Sequence, residues 1–309
     1  MMNRLFQTIH KHGVLCLLPL WALTACQPSK SSSEKEQEKP VLTVAIEPLR
    51  YFTEAIAGPY FTVRTLVPSG ASPETYDPTP RQLVELAGSA AFLRTGYIGF
   101  EQVWTKRLQA AAPQVPFVNL SEGIRLIREE QEACEHADEP HTHHHHHHAG
   151  GVEPHTWTTP ENASIISRHI LQTLCRLDTL HQAYYQAKHD SLQVHIQLID
   201  SLITKKLEGA STHRSFLIYH PSLSYFARQY GLQQIPIENQ GKEPSPETLS
   251  RLVALCRTQQ VGVIFVQPEF DVRHAEVLAQ QTGTRLVRIH PLAYQWDEEM
   301  LHVAENLGE

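Results

Sequence analysis

The sequence predicts an α/β protein of two lobes, each a mostly parallel sheet flanked by helices, with a long rigid helix joining them. Three observations lead to this prediction. Short apolar runs alternate with helical patterns from Val41 onward, which is typical of parallel sheets. The alternation occurs in two series, separated by a long helical stretch. That stretch contains neither glycine nor proline between residues 161 and 208, so it should be stiffer than a flexible interdomain linker.

The first series gives an N-terminal lobe over residues 41–160. Its short apolar runs predict strands over residues 41–46, 61–67, 90–94 and 116–118. Apolar residues at helical spacing predict two helices between them, over residues 81–87 and 99–111.

The connection between the lobes is predicted as a linking helix over residues 161–188, with the helical pattern continuing to about residue 206. Apolar residues recur along it at helical spacing and mark two faces. The first face holds Ile165, Ile166, Ile170 and Leu174, and the second holds Leu192, Ile196, Ile199 and Ile203.

The second series gives a C-terminal lobe over residues 189–309. Strands are predicted over residues 215–219, 233–237, 262–267 and 285–289. Helices are predicted over residues 221–230, 245–259, 272–282 and 297–306. Ser245 is a good N-cap for one of these helices, because Pro246 follows it at the first helical position.

The N-terminus is predicted to be an export signal over residues 1–25. Arg4 and Lys11 supply a positive region, and the apolar run at residues 13–24 is too short to span a bilayer. The sequence Leu-Thr-Ala before Cys26 resembles the lipobox of bacterial lipoproteins, which implies that Cys26 is lipidated. An ordinary signal peptide with a chance cysteine is the alternative. Residues 26–40 are rich in serine and charge and are expected to form a disordered tether.

Charge and cysteine content narrow the class of protein. The formal net charge is −7, so nothing in the composition favours binding of nucleic acid, which requires a basic surface. Three cysteines lie beyond Cys26, and an odd number in an exported chain leaves at least one unpaired or bound to metal. Cys134 opens a histidine-rich loop at residues 134–151 and could take part in metal binding there.

That loop contains eight of the 20 histidines. Neutral imidazole is the commonest protein ligand for metals such as zinc, and the loop lacks the apolar side chains needed to form a core. We expect an auxiliary, flexible, metal-attracting loop; a low-complexity insert without a role is the alternative. Its histidines are His136, His141, His143, His144, His145, His146, His147 and His148.

Four other segments place a side chain that can bind metal beside turn residues. Glu74 lies in a turn-rich loop at residues 70–80, and His155 lies in the segment EPHTWTTP at residues 153–160. His220 and His290 each follow a predicted strand, and ligands of parallel sheets gather at the carboxyl ends of strands.

These segments together resemble the zinc- and manganese-binding receptors of ABC-type metal importers, the cluster A-I solute-binding proteins. The resemblance rests on four motifs in family order and spacing: PxTYxPTP, a DPHxW-like segment, YHxxxxYFxxxYGL, and FxQPEF followed by TG and PL. It covers the chain from Val41 to Glu309. It implies that the metal lies in the cleft between the lobes, and that a histidine-rich acidic loop precedes the second ligand.

The chain departs from the family pattern at two ligand positions. Glu74 stands where the family usually has histidine, and His290 stands where it usually has Asp or Glu. The two changes compensate, so the resemblance implies one carboxylate and three imidazoles, from Glu74, His155, His220 and His290. We interpret this as an exchange of ligands across the cleft. Glu269 and Asp271, near the same strand ends, are expected to be supporting or fallback acids.

The resemblance implies a receptor rather than an enzyme, since a closed set of four ligands leaves no open position for catalysis. We expect high-affinity capture of Zn²⁺ by a monomer that is anchored by lipid to a bacterial membrane and faces the periplasm. The monomer would deliver the ion to an ABC permease and its ATPase. Three imidazoles favour zinc over manganese, while nickel and copper are not separated by this argument. Manganese or another divalent metal is the alternative within the family. A lipid-anchored metallohydrolase and a metal-buffering or adhesion lipoprotein are the alternatives of other classes.

Overall fold

The computed structural model describes residues 39–128, 151–208, 214–238 and 241–308. The predicted export signal, Cys26, nearly all of the predicted tether, Cys134 and the eight histidines of the loop lie outside the described residues. Within the described part of the chain, no helix is long and apolar enough to cross a membrane.

The first lobe is a parallel sheet in the order β2-β1-β3-β4. Its strands are β1 (Val41–Val44), β2 (Thr62–Thr65), β3 (Ala91–Arg94) and β4 (Phe117–Asn119). Its helices are α1 (Glu47–Ala57), α2 (Pro80–Ala87) and α3 (Gly99–Ala111).

Helix α1 is missing from the sequence prediction, although start and stop signals for it exist. Pro48 lies at the start of the helix beside Glu47, and Gly58 ends it with a φ of 55°, which favours glycine. The face that carries Leu49, Phe52 and Ile56 is fully buried, so the helix covers the sheet.

The stretch between the lobes forms two helices, α4 (Pro160–Leu177) and α5 (Gln182–Glu208), where one linking helix was expected. The break has a local cause: the Asp178 carboxylate accepts hydrogen bonds from the backbone N–H groups of Leu180 and His181, which starts a turn. The Gln193 amide then reaches the Ser167 hydroxyl at 2.6 Å, so the two helices lie side by side. Helix α5, rather than α4, leads into the second lobe.

The second lobe repeats the topology of the first, as a parallel sheet in the order β6-β5-β7-β8. Its strands are β5 (Ser215–Ile218), β6 (Gln233–Pro236), β7 (Val263–Val266) and β8 (Arg285–Arg288). Its helices are α6 (Ser224–Tyr230), α7 (Pro246–Thr258), α8 (Arg273–Thr282) and α9 (Trp296–Gly308). Ser245 caps α7 as predicted, because its hydroxyl accepts the backbone N–H of Thr248.

Buried hydrogen bonds join the two lobes beside the cleft. The indole N–H of Trp157 donates to the Pro291 carbonyl at 2.8 Å, and the hydroxyl of Tyr225 donates to the Glu153 carbonyl at 2.8 Å. Burial raises the pKa of Tyr225 to about 12, so this hydroxyl stays a donor at neutral pH. The ends of β5, β7 and β8 are thereby held opposite the segment that carries His155.

Candidate metal centre

Three of the four predicted ligands converge in the cleft. The ligand atoms of Glu74, His155 and His220 all lie within 4.8 Å of one another. Glu74 comes from the loop between β2 and α2, His155 from the segment before α4, and His220 from the carboxyl end of β5. The Nε2 atom of His155 lies 3.3 Å from Nε2 of His220 and 3.9 Å from Oε1 of Glu74.

Each imidazole is fixed from behind by a buried carboxylate. Oε1 of Glu153 lies 2.5 Å from Nδ1 of His155, and Oε1 of Glu238 lies 2.7 Å from Nδ1 of His220. A carboxylate at Nδ1 keeps the proton on that nitrogen and leaves the Nε2 lone pair facing the cleft. This is how metal-binding histidines are usually oriented.

The electrostatics of His155 also favour positive charge at this place. Burial lowers the pKa of the imidazole, but the carboxylates of Glu153 and Glu74 outweigh burial, so that its pKa is raised overall. The carboxylates that favour a proton on this imidazole would also favour a metal cation bound in place of the proton.

The separation of the two imidazoles matches a tetrahedral metal site. Zinc binds histidine nitrogen at about 2.0–2.1 Å, and the tetrahedral angle then separates two such nitrogens by about 3.3 Å. The observed Nε2–Nε2 distance between His155 and His220 is 3.3 Å. The pair can therefore bind one zinc ion with little rearrangement.

Glu74 is held by the start of α3. Its Oε2 accepts the backbone N–H of Gly99 at 3.3 Å, where a helix N-terminus stabilises negative charge. Its Oε1 is buried and has no hydrogen-bond partner among the described residues. Gly99 permits this approach, since a Cβ there would overlap the backbone oxygen of Glu74. One oxygen is thus anchored and the other is left for a ligand.

His220 is positioned by contacts within its own lobe. Gln267, at the end of β7, donates to the His220 carbonyl at 2.6 Å and accepts the His220 N–H at 3.2 Å. Phe270 stacks on the imidazole, with ring centroids 4.7 Å apart and an interplanar angle of 19°. These contacts fix both the backbone and the ring of His220.

The structure brings neither His290 nor Glu269 into the group of three. Nε2 of His290 lies 3.4 Å from Oε1 of Glu269, and 33% of the His290 side chain is exposed. Asp271 does not border the cavity, and its carboxylate forms an ion pair with Arg273 at 2.7 Å. The assignment of His290 as a ligand stays a prediction, whereas Glu269 faces the cleft.

The residues border a small, partly open cavity of about 20 Å³. Glu74, His155, His220, Glu269 and Phe270 border it, and His290 does not. Such a volume holds about one water-sized particle. In this arrangement the site therefore has room for about one ion.

Sequence reasoning missed the residues that support the ligands. Glu153 lies two positions before His155, so the sequence shows that the two residues are close. It does not show that the Glu153 carboxylate contacts Nδ1 of His155. Glu238 follows β6 and reaches His220 only because β6 pairs with β5. Gly99 is recognisable only from its contact with Glu74.

The chain matches the family model described as "Zinc-uptake complex component A periplasmic" over residues 42–306. The chain belongs to this family. The "High-affinity zinc uptake system protein ZnuA" of Bacillus subtilis is 26% identical over 269 residues, which cover 85% of this chain and 82% of that protein. A crystal structure of ZnuA superposes with a TM-score of 0.78 at 29% identity, covering 88% of this chain and 98% of the other.

Another relative carries a different metal in its name. The "Iron ABC transporter substrate-binding lipoprotein MtsA" of Streptococcus pyogenes is 24% identical, with 86% of this chain and 84% of that protein covered. The family assignment confirms the predicted solute-receptor class and the two-lobe fold, and the name of this relative leaves the preferred metal to be argued from the site.

Proposed function

We propose that this chain captures zinc in the cell envelope and delivers it to an ABC-type permease and its ATPase. Membership of the zinc-uptake family and the convergence of Glu74, His155 and His220 support the proposal. The observation that carries it is the pair of Nε2 atoms at 3.3 Å, each with a carboxylate at the opposite ring nitrogen. Without a proton or a cation between them, the two lone pairs would repel each other.

Capture and release both follow from the division of the site between the lobes. Glu74 and His155 belong to the first lobe, and His220 belongs to the second. A relative movement of about 1 Å would take the ligands outside the narrow range of zinc–ligand distances. Opening of the cleft at the permease therefore suffices to release the ion.

The size of the cavity argues against a metallohydrolase. A catalytic zinc must accept water and substrate together. In the arrangement of the lobes seen here, the cavity of about 20 Å³ has space for about one water-sized particle, so an organic substrate does not fit beside the ion.

Manganese is the second candidate, and the observation in its favour is the presence of two carboxylates, from Glu74 and Glu269, at the same cavity. Oxygen ligands suit manganese better than imidazoles do. The two imidazoles at a tetrahedral spacing favour zinc.

The remaining parts of the proposal concern residues outside the described structure. Cys26 would carry a lipid that anchors the receptor to the membrane, with the monomer facing the periplasm. The histidine-rich loop would bind additional zinc weakly and raise its local concentration near the cleft.

Metal analysis of the purified protein tests the function. The full chain and a variant lacking residues 136–148 are expressed in unsupplemented medium, and zinc content and affinity are measured by mass spectrometry and chelator competition. One tightly bound zinc in both proteins, with weaker additional sites only in the full chain, is the expected result. Loss of the tight site on deletion, or a tightly bound metal other than zinc, would contradict the proposal.

A transport assay tests delivery. Cells that contain the permease and ATPase but lack this chain should regain accumulation of radioactive zinc when the chain is restored. Accumulation without the chain at the same rate would contradict a role in delivery.

A further inference from the structure

We infer that Glu269 is the fourth protein ligand of the ion, and that His290 orients Glu269 from behind without touching the metal. The inference rests on the proposed function and replaces His290 in the ligand set that the sequence predicted. It makes the site two imidazoles and two carboxylates, with one of each from each lobe.

The first argument is the state of the Glu269 carboxylate. Only 4% of its side chain is exposed, and its Oε1 is buried with no hydrogen-bond partner among the described residues. A buried carboxylate oxygen without a partner is costly, because the lost hydration is not replaced. Glu74 has the same feature at its own Oε1, across the same cavity. Glu269 lies outside the group whose ligand atoms are within 4.8 Å of one another, so a bound cation would have to draw its carboxylate inward to satisfy both oxygens.

The second argument is that Glu269 is held relative to an established part of the site. It lies in the turn after β7, where the backbone N–H of Phe270 donates to the Gln267 carbonyl at 3.3 Å. Gln267 is bonded twice to the backbone of His220, and Phe270 stacks on its ring. Glu269 therefore lies between Gln267 and Phe270 in the chain, and both of these residues contact His220. These contacts fix the position of Glu269 relative to that of His220.

The third argument is the place of His290. Its Nε2 approaches Oε1 of Glu269 to 3.4 Å without the geometry of a hydrogen bond, and it does not border the cavity. Its backbone N–H donates to Glu299 at 2.7 Å, which fixes the start of the loop after β8. His290 thus lies beside the carboxylate but outside the cavity that the carboxylate borders.

The assignment divides the charged ligands evenly between the lobes. Each lobe would then offer one neutral and one anionic ligand, so neither lobe alone is a complete site.

Matched substitutions in the full chain test the inference, with Zn²⁺ itself as the probe. Glu269→Gln keeps the shape of the side chain and removes its charge. Asp271→Asn is the control. Asp271 lies two residues from Glu269, and its carboxylate is paired with Arg273. His290→Gln removes the supporting imidazole. Circular dichroism and thermal unfolding of the metal-free proteins confirm that each variant is folded.

Loss of a partner that only supports a ligand lowers metal affinity about 10–100-fold. Glu269→Gln should lower zinc affinity by more than this, and the loss for His290→Gln should lie within this range. The zinc affinity of Asp271→Asn should stay within about threefold of that of the parent. All variants contain the histidine-rich loop, so its contribution to binding is the same in each. X-ray absorption fine structure at one zinc per chain should count two imidazoles, and Co²⁺ spectra should change on Glu269→Gln.

The opposite pattern would overturn the inference. Three imidazoles around the zinc, together with a larger loss for His290→Gln than for Glu269→Gln, would make His290 the fourth ligand and leave the zinc-capture function standing. A parent protein without a tight zinc site would instead contradict the proposed function itself.

Discussion

The Nε2 atoms of His155 and His220 face each other at 3.3 Å across the two lobes, and each ring is held at Nδ1 by a buried glutamate. Both lone pairs are therefore directed at one point. A proton or a metal cation between the two nitrogens makes this contact favourable.

Removal of either imidazole should abolish tight binding. His155→Ala or His220→Ala should each lower zinc affinity by more than about 100-fold, since a ligand contributes more than the partner behind it. Chelator competition measures the affinity. His302→Ala is the control, because that ring contacts the Arg288 carbonyl on the surface. Binding by either cleft variant as tight as in the parent would show that the site is elsewhere.

The glutamate behind His220 should also matter. Glu238→Gln leaves an oxygen near Nδ1 but removes the charge that keeps the proton there, so zinc affinity should fall about 10–100-fold. Glu243→Gln is the control and should change zinc affinity little. It removes an exposed charge from the same loop, where Oε2 of Glu243 lies 3.5 Å from Nε2 of His274. Equal affinities in the two variants would show that the Glu238 contact does not orient the ligand.

Close packing of Gly99 against Glu74 gives a prediction for stability as well as binding. In Gly99→Ala the new Cβ would overlap the Glu74 backbone. The free energy of unfolding of the metal-free protein, measured in urea, should therefore fall by about 1–3 kcal/mol, and zinc should bind more weakly. Gly88→Ala is the matched control, because its nearest atom, the Glu85 carbonyl oxygen, is 3.6 Å away. Similar losses in both variants would contradict the special role of Gly99.

The contrast between His220 and Glu238 shows how far sequence reasoning can reach. A histidine directly after an apolar run is recognisable as the end of a strand, which is where ligands gather. The partner of its Nδ1 is set by the register of β6 on β5, in which the Glu238 N–H bonds the Tyr219 carbonyl at 3.1 Å. That register is a long-range pairing, and a local pattern does not contain it.

The same limit applies to the fourth ligand. Glu269 and His290 follow neighbouring strands, β7 and β8, and both residue types bind metal. The sequence places both at one edge of the sheet, and the resemblance favours position 290. Which of the two borders the cavity depends on the turn after β7 and on the stacking of Phe270 against His220.

Glu299 should make stability depend on pH. Burial raises the pKa of its carboxyl above the ordinary 4.5, although the His290 N–H opposes the shift. The folded state thus holds this proton more tightly than the unfolded chain does. The corresponding stability is complete below about pH 4.5 and is lost as the pH rises through the folded-state pKa.

Glu299→Gln cannot ionise and keeps an oxygen that can accept the His290 N–H. The metal-free variant should therefore lose less stability than the parent between about pH 4.5 and pH 7. Urea unfolding over this range measures the difference, with Glu305→Gln as a control, since Glu305 is an exposed partner of Lys206. Parallel pH profiles for Glu299→Gln and the parent would show that this carboxyl does not carry the dependence.

The balance of oxygen and nitrogen ligands should set the choice between zinc and manganese. With Glu74 and Glu269 both bound, the site has two oxygen and two nitrogen ligands, a mixture that manganese tolerates better than three imidazoles. Glu269→His should therefore raise the ratio of zinc to manganese affinity, whereas Glu269→Gln should weaken both ions. Competition between Zn²⁺ and Mn²⁺ on the full chain measures the ratio. An unchanged ratio in Glu269→His would mean that side chain 269 does not touch the ion, and discrimination would then rest on Glu74 alone.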